Sequence, residues 1–146
     1  MIGLDTNVVV RHLTGKGEGD EVERAGNLLR SLTPANPGFI SLITLIETWW
    51  VLGSAYDVDV NDRLDALEKM LRVKALTVER RAAVQSAIVA TRHGADFADA
   101  LISATCAEEH CQSVMTFDKR AIRRAGMTLA PPAAQSTDDS PVGSQA

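Results

Sequence analysis

The strongest restriction on the fold is an alternation along the chain. Apolar runs too brief to be helices are separated by longer stretches of helical periodicity. The brief runs are Met1–Leu4, Gly38–Ser41, Ala75–Val78, Ser113–Phe117 and Met127–Leu129. Between them Val22, Ala25, Leu29 and Leu32 recur at helical spacing, as do Val60, Leu64, Leu67 and Leu71. Leu42, Leu45, Ile46, Trp49 and Leu52 mark a helix over about 43–55, and Val84, Ala87, Ile88 and Thr91 mark another. Residues 96–110, rich in Ala, Leu and Ile, predict one more. Val8, Val9 and Val10 are ambiguous: their β-branching suits a strand, while Thr6 or Asn7 as a cap suits a short helix. Short strands alternating with helices predict an α/β fold, a parallel sheet of four to five short strands flanked by helices.

The chain has 146 residues, 45% of them apolar, enough for one domain with its own core. After Ala130 the composition changes. Pro131, Pro132 and Pro141 stand among Gln, Ser and Asp, and Val142 is the one large apolar residue. Such a segment cannot offset its ordering entropy, so residues 1–130 are read as the domain and 131–146 as a disordered tail.

Lys and Arg number 15 against 19 Asp and Glu, a net charge of −4. That excludes nucleic-acid binding by bulk charge and leaves room for a local basic patch. Two cysteines exclude a disulfide scaffold and a four-thiolate zinc site. No apolar run reaches the ~20 residues of a membrane helix, and no basic segment precedes an apolar one at the start. The expectation is a soluble protein of the reducing cytoplasm, with no membrane partner.

In an open parallel sheet, ligands bind beyond the carboxyl ends of the strands. Asp5 ends the first apolar run and Asp118 follows the fourth. Glu47 lies about one turn into the helix after the second. Asp96 and Asp99 open another helix with a spacing that puts them on one face. Two carboxylates about 5 Å apart repel by roughly 3 kcal/mol at an effective dielectric of 20. A cluster of them calls for protons, a basic partner or a metal. Oxygen-only ligands favour Mg²⁺ or Mn²⁺ over zinc, and the water such an ion retains can attack a phosphodiester.

Four segments carry a resemblance. They are Ile2-Gly3-Leu4-Asp5-Thr6-Asn7, Ser41–Leu52 around Glu47, Asp96-Phe97-Ala98-Asp99-Ala100-Leu101-Ile102, and Thr116-Phe117-Asp118-Lys119. In order and separation they resemble the PIN-domain ribonucleases, most nearly the VapC-like toxins of bacterial toxin–antitoxin pairs. The resemblance spans about residues 1–130. It implies a PIN-like three-layer sandwich and a catalytic, metal-holding set at Asp5, Glu47, Asp99 and Asp118. Asp96 stands between helix cap and outer or second-metal ligand. It further implies Mg²⁺- or Mn²⁺-dependent cleavage of RNA, often a tRNA or rRNA. The partners implied are an inhibiting antitoxin and a second copy of the chain in a homodimer.

Plainer roles compete at each position. Asp5 and Asp118 suit helix caps, and Asp96 suits an N-cap with Asp99 favoured by the helix dipole. Thr6, Asn7 and Thr116 are placed to orient carboxylates or simply to end strands. Arg120, Arg123 and Arg124 share one side of a short helix and, with Arg11 and His12, are phosphate candidates against a solvated charged face. Trp49 and Trp50 point to different sides of their helix, one toward core and one toward a surface. Cys106, His110 and Cys111 lack a fourth zinc ligand and are read as a buried thiol and helix-end residues.

Three rival functions remain. Asp57, Asp59, Asn61, Asp65 and Glu68 fit ligand positions of a calcium loop over 57–68, but Asp62 stands where that loop needs glycine. A phosphatase with a strand-end nucleophile, of the haloacid dehalogenase type, would need Asp where Asn7 stands. The third is a PIN fold that only binds RNA or protein.

Overall fold

The structure, a computed structural model, describes residues 1–134. The chain opens with strand β1 (Ile2–Gly3) and passes through Leu4 and Asp5 into helix α1 (Thr6–Thr14). Val8–Val10 are helical because the Asp5 carboxylate accepts the Val8 N–H at 3.0 Å and satisfies a first-turn donor. The cap is thus Asp5, not Thr6 or Asn7. Helix α1 ends at Gly15, whose left-handed backbone (φ 65°) lets its N–H return to the Arg11 carbonyl. Helix α2 (Glu21–Ser31) packs on α1, and Arg11 is paired with Glu21 at 2.7 Å across that contact.

Strand β2 (Gly38–Ile40) leads into α3 (Leu42–Ser54), capped by Ser41, whose side chain accepts the Thr44 N–H. Helix α4 (Val60–Arg72), strand β3 (Leu76–Val78) and helices α5 (Arg81–Arg92) and α6 (Phe97–Glu108) follow. The chain then makes strand β4 (Met115–Thr116), helix α7 (Lys119–Ala125) and strand β5 (Thr128–Leu129). The expected fold class is present: parallel strands linked by helices. No helix among the described residues is long and apolar enough to cross a membrane.

The single sheet of four or five strands needs correcting. The described strands form one three-stranded sheet, β1-β2-β3, and a separate two-stranded one, β4-β5, each parallel. The strands span only two or three residues. The Ser113–Phe117 run contributes just Met115–Thr116, because the Asp118 N–H turns back onto Thr116 Oγ1 at 3.0 Å and aims the chain into α7. Nor are all strands covered on both faces: Ile2, Met115 and Leu129 are exposed. Residues 131–134 are exposed and irregular, and the disorder expected of 131–146 otherwise falls outside the described residues.

The core lies between the β1-β2-β3 sheet and the helices. Ile40, Leu45, Leu64, Leu67, Val84 and Phe97 are almost wholly buried. Trp49 packs on Phe97 with ring centroids 4.5 Å apart. The Arg63 guanidinium also lies over the Trp49 ring, 4.3 Å from its centroid, and donates to the Trp49 carbonyl. Trp50 faces out, more than half exposed. The two tryptophans do point to different sides.

The calcium loop over 57–68 is excluded by the same packing. Residues 60–72 are one helix, with Leu64, Leu67, Met70 and Leu71 buried on a single stripe. Asp59 is the cap of that helix, and Asp65 and Glu68 pair with Arg92 of α5 at 2.8 and 3.1 Å. A calcium site cannot form without unwinding α4 and exposing that stripe.

Truncating Phe97 to Ala removes the partner of Trp49 from a closed core and should cost about 3–5 kcal/mol in urea unfolding. Trp50→Ala, on the exposed side of the same helix, should stay within about 0.5 kcal/mol of the parent.

Candidate functional site

Each predicted acidic residue stands at or near a helix N-terminus, and the backbone explains why. Asp5 follows Leu4, whose N–H donates to the Phe39 carbonyl of β2 at 2.9 Å. The Leu4 carbonyl accepts from Thr44 Oγ1 of α3 at 3.4 Å. One residue therefore ties β1, β2 and α3 together directly before Asp5. On α3, Glu47 lies one turn beyond Thr44 and is exposed. Thr6 Oγ1 donates to Glu47 Oε2 at 3.2 Å. Asp5, Thr6 and Glu47 thus form one group, with Thr6 in the orienting role proposed for it.

A second group forms where α6 and α7 begin. Asp96 caps α6: its Oδ2 accepts the Asp99 N–H at 3.1 Å. Asp118 caps α7: its Oδ1 accepts the Arg120 N–H at 2.8 Å and the Ala121 N–H at 3.4 Å. The Arg120 guanidinium crosses to the Gly94 carbonyl at 3.3 Å and joins α7 to the turn before α6. Asp99 is half-buried, and its carboxyl is pushed above the usual range. Burial is the first cause, repulsion from Asp96 and Asp118 the next, with Arg120 opposing.

The cap and ligand roles weighed for Asp5, Asp96 and Asp118 are compatible. Each engages one carboxylate oxygen in its cap and leaves the other uncommitted. All five acids offer hard oxygen donors, which suits Mg²⁺ or Mn²⁺. Among the described residues, however, no three such groups are gathered tightly enough to enclose an ion. Among the described residues, no hydrogen bond links the Asp5–Thr6–Glu47 group to the Asp96–Asp99–Asp118 group.

The structure places the remaining candidates as follows. Thr116 receives the Asp118 backbone N–H on its hydroxyl, so it shapes the turn and not the carboxylate. Asn7 lines a groove between α1 and α2 with Arg11, Glu21 and Arg24, and makes no side-chain hydrogen bond to any of the five candidate acids. Arg11 is committed to Glu21, which removes it as a free phosphate ligand. His12 is exposed. Arg123 and Arg124 are exposed and make no ion pair among the described residues. Cys106 is half-buried, short of the buried thiol expected, and Cys111 is exposed; both are free.

Glu79 was missed. It follows β3 as Asp5 follows β1, and its carboxylate accepts the Leu42 N–H of α3 at 2.8 Å. The strand-end rule that singled out Asp5 would have found it. Its partner lies 37 residues away, beyond the reach of any local cap motif.

Residues 2–127 match the family model described as PIN domain. Among solved structures, the chain is similar to the crystal structure of Mycobacterium tuberculosis VapC20, a sarcin-ricin loop cleaving toxin. The two are 21% identical, the match covers 90% of this chain and 100% of that one, and the TM-score is 0.40. Family membership rests on the family model alone. A search of curated proteins finds no match.

The crowding at Asp99 has a measurable consequence. Its raised pKa means that the folded state holds this proton more tightly than the unfolded chain. Asp99 therefore subtracts stability as pH rises from the unfolded value through the folded one, and the full cost is present above that. Carboxyl NMR titration without metal should show Asp99 titrating above a free aspartate. Asp96→Asn should lower it only part of the way, because asparagine keeps the cap and removes one charge while the burial of Asp99 stays.

Proposed function

This chain belongs to the PIN domain family, and on that premise we propose that it is a divalent-metal-dependent endoribonuclease, the toxin of a toxin–antitoxin pair. The observation that carries the proposal is Asp99: a half-buried carboxylate in the first turn of α6, its charge disfavoured first by burial and then by Asp96 and Asp118, with Arg120 as the opposing cation. Capping accounts for Asp96 and Asp118, but Asp99 caps no helix, and both burial and its neighbours disfavour its charge. A divalent cation relieves that repulsion.

Asp5, Glu47, Asp99 and Asp118 would hold the ion, with Asp96 at its outer side. Four of these five acids are exposed, so packing does not lock their rotamers. When bound, Mg²⁺ or Mn²⁺ supplies activation of water and neutralises charge on the phosphodiester oxygens. The chain supplies position. Thr6 holds the Glu47 carboxylate, Leu4 fixes Asp5 against α3, and the Thr116 hydroxyl sets the turn that delivers Asp118. Arg120 draws α7 toward the Gly94 turn and keeps Asp118 near Asp99. In-line attack of water leaves a 5′-phosphate and needs no 2′-hydroxyl nucleophile.

The same reading makes the substrate a folded RNA, a tRNA or rRNA, read largely by shape and unpaired segments. It makes the inhibitor an antitoxin segment that presents Arg or Lys to the acids. The working form is a homodimer in the cytoplasm. One observation favours a second reading, a PIN domain that binds without cutting: the described residues hold no ready-made three-carboxylate cage.

Purified full-length protein, incubated with total cellular RNA and Mg²⁺ or Mn²⁺, should yield discrete fragments with 5′-phosphate ends. EDTA should stop the reaction. Asp5→Asn keeps a capping side chain and should lower the rate by about a hundredfold or more, since even residues behind a ligand cost 10–100-fold. Cleavage in EDTA, or 2′,3′-cyclic ends, would contradict the metal mechanism. RNA binding without cleavage would establish the binding-only reading.

A further inference from the structure

The most exposed large apolar side chain among the described residues is Phe117, 84% open to water. Its position is not that of a loose loop. On one side, Thr116 is held in the β4-β5 pair and its carbonyl accepts the Ala130 N–H at 2.9 Å. On the other, Asp118 is fixed twice: its N–H on Thr116 Oγ1, and its carboxylate on the first-turn donors of α7. The backbone of Phe117 is thus pinned at both ends while its ring projects into solvent. The next residue is one of the acids of the candidate site.

Specificity gives this ring a task. Lys119, Arg123 and Arg124 of α7 are exposed and make no ion pair among the described residues, so phosphate contacts are available beside Asp118, but they do not distinguish an unpaired base from a paired one. Arg120 is engaged with the Gly94 carbonyl. Stacking of a base on an aromatic face needs no positive charge and tolerates any base. Phenylalanine offers a flat, rigid face with no competing polar group. Unpaired bases, splayed from an RNA loop, are the ligands that such a face takes.

Building on the ribonuclease reading, we propose that Phe117 is the platform on which one unpaired nucleobase of the RNA substrate stacks, next to the acidic site. It positions substrate and touches no reacting atom. Its loss therefore weakens substrate binding and leaves the turnover of bound substrate nearly intact.

The test uses the full chain in the Asp5→Asn background, so that RNA is cut at least about a hundredfold more slowly and binding is read before cleavage. The probe is a short fluorescein-labelled RNA hairpin with a mixed-sequence loop, read by fluorescence anisotropy. Phe117→Ala should weaken binding roughly 5- to 150-fold, the range set by one lost base stack. Phe117→Trp should bind as well as the parent or better, and Phe117→Leu should be as weak as Phe117→Ala. Removing one loop base, by abasic substitution, should erase the difference between parent and Phe117→Ala. With Asp5 intact, Phe117→Ala should raise KM by a similar factor with kcat nearly unchanged.

Unaltered binding by Phe117→Ala, or equal loss at every abasic position, would overturn the stacking role while metal-dependent cleavage by the parent stood. If the parent neither binds nor cleaves RNA, the ribonuclease reading itself fails, and the stacking role with it. Sedimentation of each variant separates a third outcome: a shift in oligomeric state with unaltered RNA affinity would make the ring a contact between copies and overturn the proposal.

Discussion

Leu4 is the residue on which the first half of the site depends. Its side chain is buried, its N–H is bound to β2, and its carbonyl is bound to a threonine of α3. A buried backbone carbonyl without a partner is costly, so Thr44 is not free to satisfy the helix behind it. The outcome is geometric. Asp5 leaves the sheet at a set distance from α3, and Thr6 can reach Glu47 one turn further along that helix. Ordinary main-chain bookkeeping thus lets Thr6, the neighbour of one acid, reach another acid 41 positions further along the chain.

The second half depends on close helix packing. Helices α5 and α6 pack closely, with Ala83 and Ala87 of α5 and Ala100 of α6 buried, as is Ala95 in the turn between them. The turn between them needs the positive φ of Gly94, 105°, and returns the Ala95 N–H to Ala90. That turn sets where Asp96 and Asp99 begin α6. Arg120 then bonds the Gly94 carbonyl and draws in the helix that Asp118 caps. Burial first, and the neighbouring Asp96 and Asp118 next, hold the Asp99 carboxyl above the usual range.

The acids serve both structure and candidate chemistry because of where α/β folds put helix N-termini. A strand that ends in Asp and turns into a helix presents unpaired N–H groups and a positive dipole end to that carboxylate. One oxygen stays with the helix and the other is left without a hydrogen bond. A capping role at Asp5, Asp96 and Asp118 is therefore compatible with the ligand role proposed for them.

What the sequence determined by itself is local. Helical stripes such as Val60, Leu64, Leu67 and Leu71, and caps such as Asp59 and Asp96, are readable because their partners lie within three or four residues. The order of elements, the family and the acids at the helix starts follow from the same short range. The tertiary structure alone decided that the strands divide into two parallel sheets, that Arg11 is spent on Glu21, and that Glu79 reaches α3. It alone showed Phe117 standing in water on a pinned turn. Strands of two or three residues carry too little pattern to specify their neighbours. A side chain whose partner lies on another element is assigned by packing, because no spacing along the chain encodes the distance between elements once they fold.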